Sequence, residues 1–158
     1  MRVLTTVLVT GSLVVTVFGG IALAQEKKST KLQLQDLPPS VQKTVQDNLK
    51  GGAIKNIGKE REDGIEQYEI ETMVNGKARD FNVAVDGRLL VVEEATTMDA
   101  IPAAAKVAIL KKVGGGTVTT VETFARPGQA LLYEAAYKDP KGKRHEMHVT
   151  ADGKEVKE

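Results

Sequence analysis

Between residues 37 and 158 the apolar positions change rhythm twice, and in the same order each time. Val41, Val45 and Leu49 recur at i, i+4 and i+8 behind Leu37-Pro38-Pro39. That is one apolar stripe on a helix whose first turn is pre-set by proline. Gly51-Gly52 ends it, because glycine takes the left-handed C-terminal conformation without steric cost. The rhythm then alternates. Tyr68, Ile70, Thr72 and Val74 share one side of a strand, and Glu69, Glu71 and Met73 the other. Phe81, Val83 and Val85 point inward, with Asp80, Asn82 and Ala84 outward. Asp63-Gly64 and Asn75-Gly76 suit tight hairpin turns, since both residues of each pair tolerate positive φ. The pattern predicts a helix over about 38–50 and strands over about 54–62, 65–75, 78–86 and 88–94.

The same order returns about 64 residues later. Ile101-Pro102 opens a helix with Ala105, Ile109 and Val113 on its apolar side, and Gly114-Gly115-Gly116 stops it. Val118 and Val121 match Ile54 and Ile57. Tyr133-Glu134-Ala135 matches Tyr68-Glu69-Ile70. Met147-His148-Val149-Thr150-Ala151-Asp152-Gly153 matches Phe81 to Gly87. The offset grows only at hairpin turns, where insertions cost least. Two repeats are therefore expected, over 37–98 and 99–158. Each is one helix followed by four antiparallel strands, an α+β architecture. A unit of about 60 residues has a marginal core, and a four-stranded sheet leaves edges that invite pairing. The two are expected to join edge to edge into one sheet of about eight strands, with both helices on one face. Leu89 to Val92, apolar on both faces, is the expected seam. The opposite, polar face is left open.

The beginning of the chain reads as an address. Arg2 precedes a largely apolar run from Val3 to Phe18, and Ala22-Leu23-Ala24 offers a peptidase the small residues it accepts. Residues 1–24 read as a signal peptide. The alternative is a retained anchor, since residues 3–24 are long enough to cross a hydrocarbon core of roughly 30 Å. Cleavage leaves Gln25 first, no stable membrane span, and an exported, periplasmic or extracellular product. Residues 25–36 read as a flexible lead-in.

Composition narrows the function. The 158 residues carry 22 basic and 21 acidic groups, no Cys and no Trp, and aromatics make up 4%. Such a balance argues against nucleic acid as a partner. Without Cys there is no disulfide, no thiolate metal site and no Cys nucleophile. Residues 37–98 hold 8 basic and 11 acidic groups, whereas 99–158 hold 10 and 8, so the halves carry opposite net charge. Gly114-Gly115-Gly116 leads into a strand, whereas a phosphate loop needs glycines leading into a helix. His145 and His148, three apart on one strand, point to opposite faces and make a poor metal pair. A pairing of His148 with Glu146 at i, i+2 would share the outer face. The carboxylates Glu60, Glu62, Asp63, Glu66, Glu69 and Glu71 crowd the first hairpin.

The Leu-Pro helix start, the glycine stop, the Tyr-Glu-Ile strand and the apolar strand ending in Asp-Gly resemble the PepSY-like domain. In tandem behind a signal peptide they resemble the beta-lactamase-inhibitor-like PepSY group, over roughly 37–158. The resemblance implies an exported bacterial protein that binds other proteins, in some members as an inhibitor of peptidases or beta-lactamases. The expectation is thus a non-enzymatic binding protein, with no cofactor, no metal and a protein or peptide partner. Its candidate contact residues on the open face are Glu69, Glu71, Met73, Asp80, Asn82, Leu132, Glu134, Glu146 and His148. Two other readings stand beside it: an envelope cation or ligand sensor, and a hydrolase using paired carboxylates of the acidic hairpin.

Overall fold

The computed structural model describes residues 32–157; the proposed signal peptide lies outside them. Two helices and eight strands follow in the expected order. Helix α1 (Pro39–Asn48) precedes β1 (Ala53–Glu62), β2 (Ile65–Val74), β3 (Lys77–Ala84) and β4 (Leu89–Ala95). Helix α2 (Ala103–Val113) precedes β5 (Thr117–Ala125), β6 (Leu132–Lys138), β7 (Arg144–Thr150) and β8 (Glu155–Val156). The strands form one antiparallel sheet in sequential order from β1 to β8.

Both helices pack on the same side of it. In the first half Val41 and Val45 are buried against Ile57, Tyr68, Ile70, Phe81 and Val83. In the second, Ala105, Ile109 and Val113 meet Val121, Ala135, Tyr137, Met147 and Val149. Phe81 and Met147 occupy matching places in these two cores, and Phe81 is fully buried. The register carries this inner side across the seam: Phe81 lies opposite Val92, and Val92 opposite Ala125.

Buried polar groups on the inner side are satisfied. Arg79 is only 4% exposed. Its Nε donates to Glu94 at 2.7 Å, and Nη1 donates to the Asn48 carbonyl at the end of α1 at 2.6 Å. The Thr72 hydroxyl donates to the Arg79 carbonyl. Two glycines decide how closely helix and sheet approach. Gly87 (φ +94°) and Gly153 (φ +81°) lie under the first turns of α1 and α2; a Cβ there would stand 2.7 Å from the Ser40 Cβ and 2.5 Å from the Ala104 oxygen. The Thr44 hydroxyl donates to the Gly87 carbonyl at 2.6 Å.

Four details differ from the sequence-based expectation. Val85, expected inward, is 38% exposed because β3 ends at Ala84 and Val85 enters the turn. Ala84 does lie on the outer side, opposite Gln67, but is buried there rather than exposed. Of Leu89 to Val92, only Val92 pairs across the seam; the β4–β5 ladder runs Val92–Ala95 against Ala125–Glu122. Residues 34–36 form a 3-10 turn rather than part of a loose lead-in, and Leu32 and Leu34 pack against the first core.

Candidate functional site

The outer side of the sheet is the face away from both helices. Residues directly opposite one another on neighbouring strands point the same way, so the register traces this face row by row. One row runs Glu71, Asp80, Glu93, Phe124, Leu132, Thr150 from β2 to β7. A second runs Glu69, Asn82, Val91 on the first half. A third runs Ala95, Glu122, Glu134, His148 from β4 to β7. Glu60 opposes Gln67 on β1, and Glu146 opposes Ala136 on β7. All nine candidate residues lie on this face: Glu69, Glu71, Met73, Asp80, Asn82, Leu132, Glu134, Glu146 and His148. Glu146 is exposed and the other eight are half-buried.

The face is acidic across the seam, not only in the first hairpin. Glu93 and Glu122 lie at the junction between the Glu69/Asp80 group and the Glu134/Glu146 group. Burial pushes Glu93 up to about 8, and the charges of Glu134, Glu122, Asp80 and Glu69 add to it. Burial likewise raises Glu122, with Glu134 the largest charge contribution. Burial raises Glu69, helped first by Glu60. Asp80 is raised by burial although it accepts the Thr72 backbone N–H, which acts in the other direction. The shared cause is a band of like charges on a half-desolvated surface.

Apolar and aromatic groups floor the middle of the band. Val91 and Phe124 are buried, at 7% and 5%. They line a shallow polar depression of about 220 Å³ together with Asn82, Glu93, Arg126, Glu134 and His148. The Arg126 guanidinium sits 4.9 Å over the Phe124 ring, and His148 meets the same ring edge-on at 4.5 Å. The His148 Nε2 lies 3.0 Å from Glu134. That carboxylate stands across the strand pair, on β6. His145 lies on the other side, stacked on Tyr137 at 5.2 Å and 3.1 Å from Asp139. The two histidines are thus separated as their spacing implied. In the first hairpin, Gln67 is buried and donates to both Glu60 and Glu62, and Asn82 donates to Glu60. These carboxylates are held in a hydrogen-bonded lattice. Among the described residues no group of three or more His, Cys, Asp or Glu is arranged to hold a metal ion, and no helix is long and apolar enough to cross a membrane.

Sequence reasoning found the β2, β3, β6 and β7 contributions to this face but missed Glu93, Glu122 and Phe124. Those residues join the face only through the seam register. The signal that could have placed them was the alternation Val92/Glu93/Glu94 against Val121/Glu122/Thr123/Phe124.

No family model and no curated protein matches the chain. Solved structures do match its fold. A protein described as periplasmic from Bacteroides eggerthii superposes with a TM-score of 0.63 at 18% identity, over 77% of this chain and 86% of that one. A DUF2874 family protein from Bacteroides ovatus gives 0.61 at 15% identity, over 77% and 85%. A BLIP-like protein from Bacteroides fragilis gives 0.58 at 14% identity, over 77% and 84%. The chain shares the α+β fold of these proteins.

Proposed function

We propose that this protein is an exported, non-enzymatic binding protein that docks a protein or peptide partner on the outer face of its sheet. One observation carries the reading: both helices lie on the same side, so the other side is one uncovered surface spanning both halves. An antiparallel sheet can leave one face in water, but a fully solvated face does not need Val91 and Phe124 buried within an acidic band. Carboxylates around a small apolar floor steer and orient a partner. Glu69, Glu71, Asp80, Asn82, Glu134, Glu146 and His148 supply polar contacts in this arrangement, and Met73 and Leu132 apolar ones. The leader-like first 24 residues and the likeness to a fold found in a protein described as periplasmic support action outside the cytoplasm. The BLIP-like neighbour supports an inhibitor or modulator role for the same face. Division into a first unit over 37–98 and a second over 99–158 fits the two separate cores.

The experiment is cross-linking capture from the envelope fraction with the mature chain and with a Glu69→Lys/Glu134→Lys variant. A partner held by this face is captured by the first and lost with the second, and its capture weakens as salt rises. Equal recovery by both proteins would place the binding surface elsewhere.

A further inference from the structure

The two helices differ on the side turned away from the sheet. On α2, Ala105, Ile109 and Val113 face the sheet. Val107 and Leu110 lie on the opposite side, with Lys111 one helical turn after Val107. Val107 is 65% and Leu110 49% exposed, the two most exposed large hydrophobics among the described residues. The matching positions of α1, 64 residues earlier, are Lys43, Gln46 and Asp47. Those three are polar and sum to no charge, and Lys43 donates to Asp47 at 2.6 Å. Repetition of the fold therefore does not call for Val, Leu and Lys on this side of α2. The core does not call for them either, since Val107 and Leu110 are not part of it.

Positive charge collects beside this stripe. Lys111 and Lys112 stand in the last turn of α2, and the connection from β6 to β7 carries Lys138, Lys141, Lys143 and Arg144, all exposed. Helix end and connection stand together: a Cβ on Gly115, just past α2, would lie 3.8 Å from Pro140 in that connection. Asp139, the acid of the connection, accepts the Lys141 and Lys143 backbone N–H groups at 2.9 Å and stands 3.1 Å from His145. Its carboxylate is thus engaged by its own hairpin. Lys106 and Lys112, on the flanks of the stripe, are bound to Asp99 and Glu155.

We propose that this side of α2, together with the β6–β7 connection, docks the protein reversibly on an anionic lipid surface, without crossing it. Charge and apolar contact select this occupant jointly. Lysines beside the headgroup phosphates each strengthen attachment, and the apolar stripe reaches the acyl boundary between them. A second copy of this chain would set a basic patch against itself, and two exposed apolar side chains fall short of the area a stable dimer buries. A soluble polyanion would pair with the lysines but leave Val107 and Leu110 in water. The acidic band on the far side of the sheet is repelled by the same lipid. Charge therefore turns α2 toward the lipid and the outer face away from it. The proposal does not rest on the outer-face reading and stands even if that face binds nothing.

The test uses residues 25–158, which contain every described element. They lack the apolar run of residues 3–18, whose own affinity for lipid would mask the surface. Vesicle flotation compares phosphatidylcholine alone with phosphatidylcholine containing about one third phosphatidylglycerol. The protein is expected to float with the anionic vesicles at about 0.05 M salt, to be released at about 0.5 M, and not to float with the neutral ones. Lys111→Gln/Lys141→Gln/Lys143→Gln should weaken attachment about a hundredfold, and Val107→Gln/Leu110→Gln about tenfold. Nitroxide-labelled lipid in anionic bicelles reads the unsubstituted chain directly, and still decides the matter if a variant fails to fold. Amide signals of α2 and of residues 139–143 should broaden, and those of β2 and β3 should not. No flotation at millimolar anionic lipid, equal flotation with neutral vesicles, or broadening centred on the outer face would overturn the proposal. So would attachment that Val107→Gln/Leu110→Gln leaves unchanged and that soluble polyphosphate competes away, the behaviour of a plain polyanion site.

Discussion

Glu93 carries the sharpest consequence at the scale of single residues. Its carboxyl is raised from 4.5 to about 8, first by burial and then by Glu134, Glu122, Asp80 and Glu69. The folded protein therefore binds this proton more tightly than the unfolded chain does. Its contribution to stability is fully present below about pH 4.5, is lost as pH rises toward 8, and is flat above that. Glu93→Gln should remove this slope and raise stability above pH 8 by roughly 2–4 kcal/mol. Urea unfolding at pH 5 and pH 9 checks it; identical pH dependence in the two proteins would mean Glu93 is ionised at no cost. Glu94 next to it behaves oppositely, because the hydrogen bond from Arg79 holds it below the usual carboxylate range. Two adjacent glutamates differ in this way because they face opposite sides of one strand. Alternation along the sequence shows the sidedness. It does not show that Arg79 waits for Glu94 on the inner side while four carboxylates surround Glu93 on the outer.

At the scale of elements, the helix starts, glycine stops and hairpins were legible because each rests on local chemistry. Proline sets the first helical turn, and the Asn-Gly and Asp-Gly pairs set the turns. Phe81 was legible as core from alternation alone, and it is fully buried beneath α1. Phe81→Ala should cost about 3–5 kcal/mol through lost transfer energy and the cavity left behind. A loss below about 1 kcal/mol in denaturant unfolding, the range of surface changes, would contradict the burial. Gly87 shows what the sequence displayed without explaining. Asp-Gly recurs after the third strand of each half as a turn signal, but the structure adds the close approach to the helix. Gly87→Ala combines a positive φ with a 2.7 Å contact to Ser40. It should lower stability by about 1–3 kcal/mol, whereas Gly64→Ala, with open space around it, should bear the φ penalty alone. Equal losses in thermal melts of the two variants would deny the tight packing at Gly87. The seam was legible less well. The apolar run Leu89-Leu90-Val91-Val92 pointed to β4 but to the wrong part of it, because β5 ends at Ala125 and meets only Val92 of that run.

The whole molecule is one sheet with two cores. The four β4–β5 pairs make the outer face a single surface, and the acidic band runs through them. The leader reading belongs to this scale, since it decides where such a surface is displayed. Mass spectrometry of the exported product should find Gln25 at its N-terminus, and retention of Met1 on a membrane-bound product would favour an anchor. The shared face itself depends on the halves folding together. Each half alone has a core of the size at which folding is marginal, with no disulfide to help, and separating them would expose new strand edges. The direct measurement is calorimetry of residues 25–158 beside a 25–98 fragment. The account predicts one cooperative transition for the chain, and a fragment that is unfolded or self-associating. A fragment that stays a soluble monomer with its own sharp transition would make the halves independent and remove the basis for a common binding face.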